Sequence, residues 1–408
     1  MIARVSSDST SPAHLAATPL WRREPYRLLF PFGALLAWAG VLHWALYALG
    51  LIAQYHPIVH AIVQIEGFMM CFAVGFLFTA IPRRTGTAAP AAWQMGVSLA
   101  APAGATIAAW FERWAISQLF WMLLVATLVV FVIARFRARD VARRPPHSFV
   151  WIPLSLGIGI IGSLLIAVYA VEGNSYFWLH DLGRLLVLQG MFLGLIVGVG
   201  GLAIPLITRG ESPPDATDTR KDRALRWGHV TAAILLTATF WVENRISQAQ
   251  GLLFRSVLVL VLLLASARIW RRPTLPGGHR WLVWLAAWMI PAGYLLAAVF
   301  PLRAKAGLHM VFIGGFALMA FSIGAHVALA HTGHKRLLSG RPWQVPVYGG
   351  LFLAATVLRG LVDFDPQRFF LWLGSSACVF LLATIAWASL VLPCLWRKPR
   401  SPAEPAGS

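Results

Sequence analysis

The residues with most to offer chemically are histidines, and their placement is unusual. The chain carries twelve, and four of them fall in the stretch from Lys305 to His334, KAGLHMVFIGGFALMAFSIGAHVALAHTGH. That stretch is apolar enough to cross a bilayer. From His309 to His326 is 17 residues, about 25 Å of helix at roughly 1.5 Å per residue. The hydrocarbon layer is about 30 Å thick. One helix therefore sets imidazoles near both faces of a membrane. Ionisable side chains at such depths are costly and normally face a bundle interior or a cavity. For His331 and His334, at the end of the stretch, snorkelling to a headgroup is the competing reading.

Other histidines gather at the depth of His309. His43 lies about two turns from the end of the first apolar segment. His56 and His60, in YHPIVHAIVQIEGF, begin the second, and His180, in FWLHDLGR, begins the sixth. Neutral imidazole is the commonest metal ligand. Two on facing helices suit the axial positions of a haem, and three or more would suit copper. Pro57 places His56 ahead of its helix, so His60 is the better ligand of that pair. The candidate donors are His60, His309, His180, His331, His326, His43 and His56, with interfacial polar residues as the alternative reading. Glu66 lies two turns below His60. It would be neutral or paired there, supporting a ligand histidine from the second layer, relaying protons, or serving structure alone. Met69, Met70 and Cys71 have donor chemistry for copper, but three consecutive residues cannot share one helix face, and core packing is the simpler role. The four-residue spacing of Gly190, Gly194 and Gly198 permits close helix approach or the approach of a flat macrocycle.

The elements that must position these residues are membrane spans. Of 408 residues, 58% are hydrophobic and 12% charged, with 19 Trp and a mean hydropathy of +0.69. A soluble domain has about twice that charged fraction. The fold class is all-α: a polytopic membrane bundle of about twelve transmembrane helices. Spans are expected near 28–50, 58–81, 91–110, 114–136, 149–170, 182–208, 227–242, 251–269, 281–300, 305–334, 345–361 and 369–395, the seventh being short. With the amino terminus cytoplasmic, 26 of the 34 Lys and Arg fall on the inside and 8 outside, as the positive-inside rule requires. Both termini are then cytoplasmic. The net charge of +19 thus reports topology, and no nucleic-acid partner is expected. Residues 1–27 and 401–408 read as tails. Residues 28–400 form one membrane domain, with the polar loop 209–226 joining two six-span halves that share no evident sequence repeat. Cys71, Cys378 and Cys394 have neither disulfide nor zinc spacing, and the polar start has no signal-peptide core.

Three stretches carry a resemblance to a known family. His60 followed by GFLFTAIPRRTG (75–86) is similar to that family's histidine-led span ending GFLLTAVPNWTG. GGLAIPLITRG (200–210) resembles GGRVIPxFTRN, and His309 to HTG (331–333) reproduces the family's histidine spacing and Gly-rich middle. The family is NnrS, polytopic haem- and copper-containing membrane proteins linked to nitric oxide and denitrification. The resemblance implies a multi-pass protein of the bacterial inner membrane whose partners are the lipid bilayer, haem and nitric oxide or a related small molecule. It implies b-type haem, since no C-x-x-C-H attachment motif is present, and copper. Of the histidines in the family's HAHEM cluster, however, only the first is kept, at His60, with Ile62 and Val63 in place of the second His and the Glu. Leu202 replaces the Arg of GGRVIP, and His326 the Arg that precedes HTG.

Two other classes compete. A redox enzyme like the haem–copper oxidases shares twelve spans and intramembrane histidines, but no adjacent His-His pair or HPEVY-like segment occurs here. A secondary transporter would show broken helices and internal repeats, for which Pro205 and Pro291 give slight support. Turnover and simple binding are not distinguished by the sequence.

Overall fold

In a bilayer the backbone must satisfy its own hydrogen bonds, and an apolar segment of about 20 residues does so as a helix. The computed structural model describes residues 18–139, 145–172, 177–213 and 219–396. Among the described residues there are twelve long helices and no strand. They are α1 (Tyr26–Ala48), α2 (Pro57–Thr85), α3 (Ala92–Trp110), α4 (Trp114–Arg137), α5 (Trp151–Glu172) and α6 (Phe177–Arg209). The rest are α7 (Arg220–Arg245), α8 (Gln248–Ala267), α9 (Gly278–Val299), α10 (Pro301–His331), α11 (Gln344–Phe364) and α12 (Phe369–Trp396). Ten are long and apolar enough to cross a membrane. The exceptions are α3 and α7, the latter opening with RKDR. The short seventh segment extends to 26 residues, because Thr219 caps it by accepting the Asp222 N–H at 3.2 Å. Residues 1–17, Arg143, Arg144, positions 214–218 and the 401–408 tail lie outside the described residues.

Three helices form the centre: α2, α6 and α10 are the most deeply buried of the ten, and α2 contacts both of the others. They recur every fourth span and share a construction. Each begins near one of the candidate histidines, His60, His180 or His309. Each then passes through a π-helical turn, at Val63–Met69, Leu186–Gly190 and Met310–Ala317. Such turns insert one residue and shift the face that follows. Each also has a buried threonine at its far end, bonded to the carbonyl four residues back: Thr85 to Ile81, Thr208 to Ile204 and Thr332 to Ala328, at 2.8, 2.6 and 2.7 Å. A left-handed glycine follows in all three cases, Gly86, Gly210 and Gly333, where a side chain would be strained. The stretches AIPRRTG, AIPLITRG and ALAHTG are thus one terminus used three times. An apolar cavity of about 100 Å³ remains between these helices and α1, walled by Phe30, Phe72, Phe192 and Phe316.

The Arg-rich ends draw together on one face of the bundle. Arg22 donates to the Pro90 carbonyl at 2.8 Å, Arg135 to Ala88 and Ala89, and Arg27 to Leu395. Arg209 donates to Ala267 and Arg271, while Arg280 donates to Ile207. These bonds bring the ends of nonadjacent helices to a common level, as the alternating loop charges anticipate. Glu24 sits among them, paired with Arg27 at 2.5 Å and Arg83 at 3.4 Å. Burial works to raise its pKa, but hydrogen bonds from Arg27 and the Tyr26 hydroxyl, with the charges of Arg27 and Arg83, hold it below the ordinary value.

Candidate metal centre

The opposite face holds the histidines His43, His56, His60 and His309. His60 stands one turn into α2, where its Nδ1 is 2.7 Å from the Gly40 carbonyl of α1. One turn further, Gln64 donates to the Ala37 carbonyl at 2.8 Å. These two bonds seat α2 on α1. Gly40 permits the approach, since a Cβ there would collide with Gln64. His309 is built alike: its Nδ1 is 2.8 Å from the Lys305 carbonyl. A carbonyl only accepts, so both rings carry their proton on Nδ1. Both Nε2 lone pairs are then left for a ligand, the state a metal requires. The two rings lie within electrostatic reach of each other and of Arg359 on α11. At this end α10 packs along α11.

His43 and His56 lie near His60 without joining a common centre, whereas His180 meets neighbours on its own helix. His43 is buried, its ring 6.3 Å from that of His60, and neither of its nitrogens has a hydrogen-bond partner. His56 caps α2 against Trp110, with centroids 5.3 Å apart. His180, ahead of α6's π turn, pairs with Asp181 at 3.8 Å and stacks on Phe177.

The sequence profile of the family described as NnrS protein matches residues 19–399. The chain belongs to the NnrS family. A comparison with curated proteins finds no match. The stretches GFLFTAIPRRTG, GGLAIPLITRG and HTG lie in or at the ends of α2, α6 and α10, while the family match runs through all twelve helices.

Haem and copper fit these residues unequally. A haem needs two imidazoles with free nitrogens, and His60 and His309 each keep Nε2 free once Nδ1 is bonded to a carbonyl. Copper of the kind anticipated needs three or more donors. Among the described residues no three His, Cys, Asp or Glu side chains gather as a metal would require, and Ile62 and Val63 stand where the family has donors. The residues therefore do not fit a copper site. Met70 and Cys71 are fully buried in the core and Met69 borders the apolar cavity. Gly190, Gly194 and Gly198 are occupied by helix packing, against Ile158, Ser155 and Trp151 of α5.

Glu66 lies within the π turn of α2. Gln118 of α4 donates to both its oxygens, at 2.9 and 3.1 Å, and accepts in turn from Ser163 of α5 at 2.6 Å. This is a closed, buried chain joining three helices. In it Glu66 has a side-chain partner other than histidine.

On the basic face, His326 pairs with His279, the rings bonded Nε2 to Nδ1 at 3.0 Å. His331 lies edge-on to Tyr26 with centroids 5.4 Å apart, and its buried Nδ1 has no partner. Sequence reading missed His279, which follows the Gly pair of PGGHR in the first turn of α9 and gives no periodic signal. It also missed Arg359, whose signal was present: a charge inside an apolar span, with Asp363 four residues on.

Proposed function

We propose that this protein binds a b-type haem between His60 and His309 and acts in the bacterial inner membrane in the response to nitric oxide or related nitrogen oxides. The observation that carries the reading is the matched state of the two rings. Each Nδ1–H is committed to a backbone carbonyl and each Nε2 is free, on rings within electrostatic reach of each other. Membership of NnrS, with the haem content and nitric oxide link that the resemblance implies, supports the choice of ligand.

When bound, haem iron supplies a coordination site for a diatomic nitrogen oxide. The chain's own part is positional. Gly40 and Lys305 fix the tautomer and orientation of the two imidazoles. The π turns directly below re-aim α2 and α10 so that the residues beneath face the centre. His60 and His309 would both hold the haem, so a diatomic ligand would reach the iron where one of the two rings is less firmly tied. His309 is that ring, because its orienting bond is made within its own helix, whereas His60 is tied to α1.

The test is an absorbance spectrum of the protein purified from haem-replete cells. A b-type haem signal is expected, lost or converted to high spin in His60→Ala and in His309→Ala and unchanged in His334→Ala. A colourless preparation that stays colourless after reconstitution overturns the reading.

A further inference from the structure

The side of the site that faces α11 carries a charge the two histidines do not explain. Arg359 lies little more than a turn from the end of α11, its side chain 12% exposed. Its partner is Asp363, one turn on, with Nη1 to Oδ1 at 3.8 Å. That is an ion-pair distance and too long for a hydrogen bond. Nη1 is buried and makes no hydrogen bond. Asp363 is engaged elsewhere, taking the backbone N–H of Ala306 at the start of α10. A buried guanidinium with five donors is expensive to keep unless an anion or acceptors satisfy it. Arg359 is within electrostatic reach of both His60 and His309, and Lys305, exposed at the rim, is within reach of His309. Two cations therefore flank the imidazoles at the membrane face that sequence shows to be poor in them.

We propose that Arg359, with Lys305 at the rim, binds a carboxylate arm of the haem. This rests on the haem reading above and adds the recognition of its propionates. The chemistry matches: a planar guanidinium presents parallel donors to a carboxylate and is less strongly hydrated than an ammonium. Burial strengthens the interaction over a surface pair. Asp363 has a distinct part, since it anchors α11 to the start of α10 and sets the height of Arg359 without occupying the inner donors.

The experiment compares haem with haem dimethyl ester, in which both carboxylates are blocked, on the full chain purified from haem-deficient cells. A charge-assisted bond contributes about 1.5–3 kcal/mol, roughly a 10- to 150-fold preference. Wild type should bind haem tighter than the diester by at least about tenfold on that scale. Arg359→Gln should bind the two alike, at the wild-type affinity for the diester. Arg359→Lys keeps a charge and should keep part of the preference, and it serves as the test if the Gln variant does not fold. Wild type that binds both equally, with uptake still dependent on His60 and His309, overturns the assignment of Arg359 alone. So does an Arg359→Gln protein that discriminates as wild type does. Wild type that takes up neither compound overturns the site reading and this inference with it.

Discussion

Removing Arg255 should destabilise the bundle more than removing any surface charge, and the reason is local. Arg255 of α8 is fully buried. Its Nη2 meets Glu243 of α7 at 2.6 Å, Nη1 donates to Gln189 in the π turn of α6 at 3.0 Å, and Nε donates to Thr239 at 3.2 Å. The guanidinium carbon lies 3.6 Å from the centroid of the Phe240 ring. One side chain thus joins three helices. Arg255→Leu leaves Glu243 as a buried charge without its partner, a change that costs about 3–5 kcal/mol. The double variant Arg255→Leu/Glu243→Leu removes both charges and should regain most of that loss, because an apolar pair of similar volume often equals or betters a buried ion pair. Unfolding can be followed in detergent with a thiol-reactive dye, since Cys71 and Cys394 are buried. The single variant should melt far below wild type and the double variant between them. A single variant that melts like wild type, or a double variant no better than the single, would refute the argument that an unpaired buried charge is the dominant cost.

Three further outcomes follow from the fold. Glu24 is held below its ordinary pKa in the folded state, so its contribution to stability is complete above the unfolded value of 4.5 and is lost as pH falls through the lower folded value. Acid unfolding monitored by helical circular dichroism should show this acid-side loss in wild type, and Glu24→Gln should be less stable near neutrality but flatter below about pH 4.5. Alanine at Gly86, Gly210 or Gly333 should each cost about 1–2 kcal/mol of stability, whereas Gly96→Ala, in open space within α3, should cost nothing because alanine is the better helix former; equal melting of all four variants would deny the shared terminus. Reporter fusions after Arg84 and Lys335 should read cytoplasmic and those near Gln54 and Asp365 periplasmic, and a cytoplasmic signal at Gln54 would invert the bundle.

Most of the architecture was legible because lipid leaves the backbone few choices. Apolar runs gave the helices, and the Arg-rich ends that pair through Arg27, Arg135 and Arg209 were predictable from loop charge. The internal recurrence was not. It has a period of four spans and is carried by a threonine, a glycine and a π turn, so a search for two similar halves could not reveal it. The π turns themselves leave no mark in hydrophobic periodicity. At the site, depth along a helix was readable for His60 and His309, but the direction of a side chain around the helix was not. His180 has the right depth yet turns to Asp181, and His326 finds His279, which carries no periodic signal. Glu66 was recognisable as a buried carboxyl, whereas its partners Gln118 and Ser163 come from two other helices whose rotation depends on packing.

His60 and His309 are proposed to hold one haem between them. Electron paramagnetic resonance of the oxidised protein tests it most directly, because the spin state and rhombicity report the axial pair. A low-spin, bis-imidazole signal is expected in wild type, replaced by a high-spin signal or lost in His60→Ala and His309→Ala and restored in either by added imidazole. The same low-spin signal persisting undiminished in both variants would contradict the account.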